Sequence, residues 1–419
     1  MSTAEIQGCN PRGDTAATPA GGATERLVSL DALRGFDMFW IVGGGSVATA
    51  LAAMDANPLT TFLTTQLTHA SWVGFRFYDL IFPLFLFIMG VSFVFSFDRA
   101  SLDGRRGAVM LRVVRRSMLL FALGVFATGG LSKPWPDVAL GGVLHRIAAC
   151  YLLAATTYLF VRSPRGLAGV AAALLIGSWG LLTFVPIPDL KLDKPVVEAI
   201  AARIGSDDPA AIAAAVPARV TGSYEEGRNL TNYLDFRFMP GRKPQIYYLN
   251  EGLLSTLPAT ALPLLGALAG LVLRNPGLSP ARRVAWLTAG GLVGAGLGLA
   301  WSIECPIIKR IWTPSFVLLT AGISGCLLAA FYAIVDVRGL RAWCRPFVWI
   351  GANPLLIYVA SPIIGFQSLA SRLVGGDVRA FLDARIGRGC GGLVVAVTGL
   401  SLVVLFARFL YRRGIFLRV

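Results

Sequence analysis

Charged residues are scarce in this chain of 419 residues, at 15% of the total against roughly 25% in soluble domains. With 55% hydrophobic residues and a mean hydropathy of +0.66, that scarcity excludes an ordinary soluble enzyme. The sequence also lacks a CxxC, a P-loop, a GxGxxG after a strand and an HExxH, and its six cysteines show no metal-ligand spacing. The usual signatures of nucleotide hydrolysis and metal hydrolysis are therefore missing, and we expect no metal site.

The apolar residues fall in blocks of about 20, the length that a helix needs to cross a hydrocarbon layer roughly 30 Å thick. The pattern predicts an all-α, polytopic integral membrane protein with about ten transmembrane helices. We place these spans at 35–54, 79–97, 111–130, 140–161, 166–186, 252–273, 283–302, 313–335, 345–365 and 392–411. Residues 1–25 are small and polar, which predicts a disordered tail, and 26–419 form a single transmembrane domain.

Basic residues outnumber acidic ones by 38 to 23, for a net charge of +15. In a soluble chain this excess would suggest nucleic acid, but here the arginines lie mainly in alternate loops, as the positive-inside rule predicts. We therefore expect both termini in the cytoplasm, a lipid bilayer rather than nucleic acid as partner, and a long outer loop at about 187–250. The short outer loops are poor in Lys and Arg except for four arginines between Arg372 and Arg388.

Polar residues inside apolar spans are candidates for function, because a bilayer makes them costly. Asp31, Arg34 and Asp37 are spaced i, i+3 and i+6 at the start of the first span, so they share one helix face. A helix cap and a membrane anchor explain Asp31 and Arg34 equally well. The chain has two histidines, and His69, near the predicted outer edge, is the better candidate for a base that titrates near neutral pH. An interfacial anchor is the alternative.

Several motifs resemble, in the same order, those of the heparan-α-glucosaminide N-acetyltransferase family and its bacterial relatives. They are RLVSLDALRG at 26–35, HASW at 69–72 followed by DLIFPLFLFIMG at 79–90, GVLHRI at 142–147, EGLLST at 251–256, PIIKRIW at 306–312, and the stretch 346–358. The resemblance covers nearly the whole chain after the tail.

Members of that family move an acetyl group from cytoplasmic acetyl-CoA to the amine of a terminal glucosamine on the far side of the membrane. The resemblance therefore implies acetyl-CoA as co-substrate, an amino-sugar or glycan acceptor, and no permanently bound cofactor. His69 matches the family's active histidine. Trp72, Glu251, Lys309 and Trp312 lie in the shared motifs and become candidates for binding the acceptor.

The implied chemistry needs a base for the acceptor amine, a carboxylate that orients the base, and donors for the developing oxyanion. Asp79 or Asp37 is the candidate carboxylate for His69, which could also carry the acetyl group itself. Candidate oxyanion donors are Asn353, Ser71 and the backbone N–H groups of a turn at 43–45.

The phosphates of CoA require cations at one end of the site. Arg34 and Arg146 are the candidates, with Asn353 as a further cofactor-binding residue. Arg112, Arg115 and Arg116 are more simply explained as cytoplasmic anchors.

Tyrosines, phenylalanines and asparagines cluster in the second half of the long outer loop, where they could stack on a sugar or form a lid on the membrane surface. The sequon Asn229-Leu230-Thr231 matters only in a eukaryotic secretory pathway. The composition favours a bacterial inner-membrane protein. A homodimer and a disulfide between Cys305 and Cys390 remain open.

A second class of function is a membrane transporter for an amino sugar such as N-acetylglucosamine, without covalent chemistry. Ten helices and a proline in the middle of the ninth span suit a permease. A flippase or scaffold for cell-wall glycans is a third reading. Binding of acetyl-CoA distinguishes the three functions, because only the acyltransferase must bind it.

Overall fold

The structure is a computed structural model that describes residues 27–97, 106–130, 132, 134–161, 163–243 and 247–417. The tail predicted at 1–25 lies outside these residues. Within them the chain forms seventeen α-helices and one two-stranded antiparallel sheet, β1 (Ile187–Pro188) with β2 (Arg219–Val220). The helices are α1 (Val28–Ala52), α2 (Pro58–Gln66), α3 (Phe77–Ser96), α4 (Arg106–Ala127), α5 (Val143–Phe160), α6 (Pro164–Phe184), α7 (Lys194–Ile204), α8 (Pro209–Ala214), α9 (Leu230–Phe238), α10 (Thr256–Arg274), α11 (Pro280–Trp301), α12 (Pro314–Phe331), α13 (Arg345–Gly351), α14 (Pro354–Ile364), α15 (Phe366–Val374), α16 (Asp377–Arg385) and α17 (Cys390–Arg412).

Each predicted span corresponds to a helix or a helix pair, which confirms an all-α polytopic membrane protein. Among the described residues, eight helices are long and apolar enough to cross a membrane: α1, α3, α5, α6, α10, α11, α12 with its continuation to Val337, and α17. The predicted span at 111–130 is α4, which is long enough to cross but carries four arginines in its first half.

The predicted span at 345–365 is not one straight helix. It forms α13 and α14, which meet at a bend of 86° around Asn353. Pro354 is the first residue of α14, where the missing N–H of proline costs no helical hydrogen bond. Counted as one broken span, this pair brings the number of candidate spans in the described part to nine.

Glycines allow two pairs of helices to pack with their backbones in contact. A Cβ atom on Gly90 of α3 would meet the carbonyl oxygen of Pro263 in α10, and one on Gly266 would meet that of Phe87. A Cβ atom on Gly35 of α1 would likewise meet the backbone of α13. Small residues at such crossings give membrane helices close van der Waals contact, which replaces the hydrophobic driving force that is missing in lipid.

We expect Gly90→Ala to lower the thermal unfolding midpoint of the protein in detergent, because overpacking a tight contact costs about 1–3 kcal/mol. Gly45→Ala is the matched control, since no atom lies within 4 Å of a Cβ at that position of α1. There the substitution removes a helical glycine and should stabilise the protein by roughly 0.5–1 kcal/mol. Equal midpoints for the two variants would show that the α3–α10 crossing is not tight.

The predicted outer loop at 187–250 is a folded cap rather than an extended loop; we call its described residues the cap. Its first half is rich in alanine, a strong helix former, and forms α7 and α8. Leu192, Val197, Ile212 and Phe236 are buried against one another in a core of their own. The cap therefore contributes its own small hydrophobic core.

The asparagines of the cap are structural, which corrects the expectation that they could bind a sugar. Asn229 is fully buried and caps α9, because its side chain accepts a hydrogen bond from the backbone of Asn232. Its amide donates to the side chain of Asn232 at 2.6 Å, and Asn232 in turn accepts from Gly227. Buried in this way, the Asn229 sequon is not accessible. Cys305 and Cys390 are both free thiols.

Candidate active site

His69 lies in a short loop between α2 and α3 that hydrogen bonds hold in place. Arg76, the last residue before α3, donates to the hydroxyl of Thr68 at 2.8 Å and to the carbonyl of His69 at 3.0 Å. The backbone N–H of Gly74 donates to the carbonyl of Ile307 at 2.9 Å. The loop is thus tied both to the start of α3 and to the turn before α12.

Asp79 is the carboxylate that orients His69. It is fully buried in the first turn of α3, and its Oδ1 lies 2.8 Å from Nδ1 of His69. Its Oδ2 accepts the backbone N–H groups of Ala70 at 3.2 Å and Arg76 at 3.1 Å. With the Nδ1 proton donated to Asp79, Nε2 of His69 is left as a proton acceptor. Of the two carboxylates that the sequence offered for this role, the structure brings Asp79 to His69.

Lys309 completes a charged cluster around the imidazole. Its Nζ lies 2.9 Å from Nδ1 and 3.4 Å from Nε2 of His69, and it forms an ion pair with Oδ1 of Asp79 at 3.4 Å. Since the Nδ1 proton is donated to Asp79, the partner that holds the ammonium is the Asp79 carboxylate. Burial lowers the pKa of the Lys309 ammonium, and the charge of Asp79 partly opposes that change. The ring of Tyr78 packs on His69 with centroids 4.8 Å apart. The imidazole is therefore fixed on several sides, while half of its side chain stays exposed.

A strained turn presents both Lys309 and Trp312. The φ of Trp312 is +52°, and among the described residues it is the only non-glycine in the left-handed region. The turn is held by the N–H of Trp312, which donates to Lys309 at 3.1 Å, and by that of Thr313, which donates to Ile308 at 3.2 Å. Strain of this kind persists only where the surroundings fix it, and it is typical of functional sites.

These residues line a cavity of about 350 Å³, which we call the His69 cavity. His69, Glu251, Lys309 and Trp312 all face it, so four of the predicted site residues come together. Its other lining residues are Ile41, Ala70, Tyr78, Ile81, Phe82, Val143, Asn250, Arg310 and Tyr358. Sequence reasoning missed Tyr78, Asn250 and Tyr358; Tyr78 and Asn250 stand next to predicted residues, which is the signal that could have found them.

Trp72 does not line the cavity. Its indole N–H donates to the carbonyl of Tyr224 at 2.7 Å, which ties the His69 loop to the cap. A second tie is the ion pair of Arg310 with Glu226 of the cap, at 2.8 Å. Trp72 and Arg310 therefore connect the two segments that present His69 and Lys309 to the cap.

Arg146 contacts the residues that form the wall of the His69 cavity, although the sequence predicted that it would bind the phosphates of CoA. It is buried in α5, where it donates to the Ser255 hydroxyl and, at 3.3 Å, to the carbonyl of Gly252. Its guanidinium lies 4.9 Å from the centroid of the Trp312 ring. Arg146 thus braces the turn at 249–255 and the ring that lines the cavity.

Asp235 of the cap braces the same turn from the other side. Its carboxylate accepts the backbone N–H of Leu249 at 3.3 Å and of Leu253 at 2.9 Å, and no side chain would fit on Gly252 beside it. Burial raises the pKa of Asp235 to about 6. Glu251, between these braced positions, is held facing the cavity.

A second cavity, of about 340 Å³, lies toward the opposite end of the bundle; we call it the Arg34 cavity. Arg34 donates to the Ser92 hydroxyl at 2.8 Å and pairs with Asp31 at 3.2 Å. Arg116 stacks its guanidinium 4.8 Å from the ring centroid of Tyr151. The lining residues are Arg34, Phe85, Met89, Ser92, Phe93, Ser96, Phe97, Arg116, Leu120, Leu144, Ile147, Tyr151, Ala352, Pro354, Leu355 and Leu417.

The two cavities follow each other along the same helices. On α1, Arg34 lines one and Ile41 the other; on α14, Leu355 and Tyr358 do the same. Asp37 lies on α1 between these levels. It is fully buried, and neither carboxyl oxygen has a hydrogen-bond partner among the described residues. Asp37 therefore belongs between the cavities, and the expectation that it could orient His69 is not met.

Two predicted oxyanion donors are placed elsewhere. The side chain of Asn353 donates to the carbonyl of Ile415 at 2.7 Å and accepts from the N–H of Leu417 at 3.0 Å, at the edge of the Arg34 cavity. Gly43 to Gly45 lie inside α1, where their N–H groups belong to the helix. The expected glycine turn is wrong, because α1 continues to Ala52.

The described residues contain no group of three or more His, Cys, Asp or Glu side chains that could hold a metal ion.

Comparison with known proteins supports the resemblance that the motifs carry. Residues 26–192 match the family model described as heparan-alpha-glucosaminide N-acetyltransferase, catalytic. The human heparan-alpha-glucosaminide N-acetyltransferase is 26% identical over 394 residues, which cover 81% of this chain and 53% of the human protein. The mouse enzyme is 27% identical over 344 residues, or 71% and 49% of the two chains. An uncharacterized 39.9 kDa protein of Bacillus acidopullulyticus is 30% identical over 170 residues, or 39% of this chain and 43% of that protein. The chain spans about half the length of the mammalian relatives.

Proposed function

From the match to the heparan-α-glucosaminide N-acetyltransferase family, which confirms the predicted resemblance, we propose that this chain is a transmembrane acetyltransferase. Its donor is acetyl-CoA and its acceptor is the amine of a glucosamine-type sugar. The observation that carries the proposal is the His69–Asp79 pair, 2.8 Å apart at the wall of a cavity. A histidine held by a buried carboxylate is the arrangement that general-base catalysis requires.

The reaction proceeds by attack of the acceptor nitrogen on the thioester carbonyl. His69 accepts the proton of the attacking amine at Nε2, while Asp79 stabilises the imidazolium that forms. The C–S bond then breaks, and the imidazolium returns the proton to the leaving thiolate of CoA. Lys309, beside the imidazole, is placed to stabilise the negative charge on the thioester oxygen.

The acceptor occupies the His69 cavity. Trp312 and Tyr78 offer aromatic faces of the kind on which sugar rings stack, and Glu251 offers a carboxylate that attracts an ammonium group. Arg146 and Asp235 fix the turn that carries Glu251, so its position is set before the sugar binds.

The donor occupies the Arg34 cavity, where Arg34 and Arg116 face the phosphates. The pantetheine arm then runs past Asp37 toward His69, since the same helices line both cavities. We place the Arg34 cavity on the cytoplasmic side of a bacterial inner membrane, in keeping with the arginine distribution.

Mass spectrometry of the products tests the proposal. The protein, reconstituted in lipid nanodiscs, is mixed with acetyl-CoA and glucosamine. Formation of N-acetylglucosamine with an equal amount of free CoA supports the acetyltransferase. No transfer to glucosamine or to any amino-sugar conjugate, together with glucosamine uptake in proteoliposomes, would favour the transporter instead.

We expect Arg34→Ala to raise the KM for acetyl-CoA about tenfold or more, because hydrogen bonds to charged groups contribute about 1.5–3 kcal/mol. The KM for S-acetyl-N-acetylcysteamine, a donor without phosphates, should stay unchanged. Ser92→Ala is the control, since it removes the hydroxyl that Arg34 contacts and leaves its charge. Equal changes in KM for the two donors would remove Arg34 from phosphate binding.

A further inference from the structure

A third cavity opens beside the His69 cavity. It has a volume of about 410 Å³, and we call it the side cavity. Ile41 of α1 and Tyr358 of α14 line both cavities, so the two share a wall. The remaining lining residues are Val42, Ala127, Ser361, Pro362, Gly365, Phe366, Gln367, Ser368 and Val403.

The side cavity faces the lipid-exposed surface of the bundle. Ile363 and Ile364, at the end of α14, are exposed apolar residues of the kind that contact hydrocarbon. At Gly365, with φ +67°, the chain leaves α14 and begins α15. Ser368 on α15 lines the cavity and is itself exposed. Access to this cavity is thus from the side of the bundle.

The lining of the side cavity is more polar than a lipid-filled crevice requires. Ser361, Gln367 and Ser368 all contribute to it. Gln367 makes one weak contact, its Nε2 lying 3.4 Å from the carbonyl of Ala396. The hydroxyl of Ser361 donates to the carbonyl of Ile357 within α14 at 2.7 Å, whereas Gln367 and Ser368 belong to α15. Polar side chains that line a cavity beside lipid favour a ligand with a polar part. The composition therefore fits a polar headgroup moving between the bilayer and the His69 cavity.

The helices next to this opening are basic and amphipathic. Arg372, Arg379, Arg385 and Arg388 are all exposed on or after α15 and α16, against two acids, Asp377 and Asp383. Of these acids, Asp383 accepts the N–H of Gly391 at 2.8 Å and pairs with Arg379 at 3.7 Å, so Arg379 is engaged within the protein. Exposed apolar side chains accompany the arginines: Leu369, Leu373, Val378, Phe381 and Ile386. Helices of this composition lie in the headgroup layer and attract anionic lipids.

The basic helices lie at the same end of the bundle as His69. Gly389, just before α17, packs against the backbone of Met54 at the end of α1, and α1 ends on the His69 side. These four arginines are also the exception to the charge distribution among the short outer loops. A role in binding anionic groups explains them where membrane topology does not.

We propose that the natural acceptor is an amino sugar joined through a phosphate to a membrane lipid. The lipid tail stays in the bilayer, the phosphate contacts the arginines of α15 and α16, and the sugar reaches His69 through the side cavity. The inference rests on the proposed acetyltransferase function and adds the class of acceptor and its route.

Three acceptors test the inference in phosphatidylcholine nanodiscs with acetyl-CoA: free glucosamine, dodecyl glucosaminide, and glucosamine linked by phosphate to a polyprenol. We expect kcat/KM to be at least tenfold higher for the phosphate-linked lipid than for free glucosamine. Ser368→Trp, which fills the side cavity, should reduce kcat/KM at least tenfold for both lipid acceptors and leave that for glucosamine unchanged. Leu369→Trp, on the same helix but outside the lining, is the matched control.

The double variant Arg372→Gln/Arg385→Gln should lower kcat/KM for the phosphate-linked acceptor and leave that for dodecyl glucosaminide unchanged. Transfer to glucosamine but to neither lipid overturns the inference and leaves the acetyltransferase intact. An equal loss for all acceptors in Ser368→Trp also overturns it, because the cavity would then support the shape of the site only. No transfer to any acceptor, although acetyl-CoA binds, overturns the proposed function itself.

Discussion

Replacing His69 by alanine is expected to reduce the rate of acetyl transfer by about 10²–10⁴-fold, the usual contribution of a positioned general base. The loss should appear in kcat at saturating acetyl-CoA, since His69 lines the His69 cavity, where we propose that the acceptor binds, and not the Arg34 cavity. The side chain of His69 is half exposed, so its removal should disturb the fold little. The buried carboxylate of Asp79 loses one contact but keeps the ion pair with Lys309 and the hydrogen bonds from two backbone N–H groups.

His145→Ala is the natural control, because the chain has only these two histidines. The imidazole of His145 packs against Phe121 at 4.6 Å between centroids and does not line the His69 cavity. His69→Ala should unfold within a few degrees of the wild type, whereas His145→Ala truncates a buried side chain and should lower the midpoint while leaving turnover of the folded protein in place. Near-native turnover in His69→Ala would remove the imidazole from the mechanism, both as a base and as a carrier of the acetyl group.

Asp79→Asn is expected to reduce turnover by at least about 100-fold and also to destabilise the protein. The amide cannot hold the Nδ1 proton of His69 as a carboxylate does, so the imidazole can present the wrong nitrogen to the acceptor. The substitution also leaves the Lys309 ammonium beside a neutral group. Breaking a buried ion pair from one side costs about 3–5 kcal/mol.

A double variant separates the two effects of Asp79. Adding Lys309→Met to Asp79→Asn removes the unpaired charge, so the unfolding midpoint should recover in part while turnover stays low. Thermal unfolding and product formation are measured on the two single variants and the double variant. Recovery of turnover along with stability would mean that Asp79 acts on the fold and not on the imidazole.

The transmembrane spans could be predicted from the sequence because blocks of about 20 apolar residues allow little besides a helix in lipid. The bend at Asn353 could not be measured in advance, although Pro354 indicated a break. What the pattern leaves open is how the two halves of that span sit against their neighbours. The cap could not be predicted for a related reason, since its core joins residues of α7 and α8 to Phe236 of α9, and the apolar pattern does not show which of these short segments pack together.

The His69–Asp79 pair could be predicted from the sequence, whereas the roles of several other site residues could not. His69 and Asp79 are ten residues apart around a helix start, so their meeting is a local event. Asn353 and the glycines at 43–45 were predicted as oxyanion donors from residue type alone. In the structure Asn353 binds the backbone of the C-terminal segment, and the glycines lie inside α1. Arg146 was expected to bind phosphate because it is basic, whereas its backbone and aromatic partners, 104 or more positions further along the chain, decide its role.

Lys309 reaches His69 from 240 positions further along the chain, and this distance bears on how the protein is made. While the nascent chain is being inserted into the membrane, the first helices can already bring His69 to Asp79. The imidazole still lacks Lys309, Glu251 and Trp312, so an arrested or truncated translation product would carry the histidine loop without a complete His69 cavity. The His69 cavity is complete only after the turn before α12 has been synthesised and has folded back onto the histidine loop.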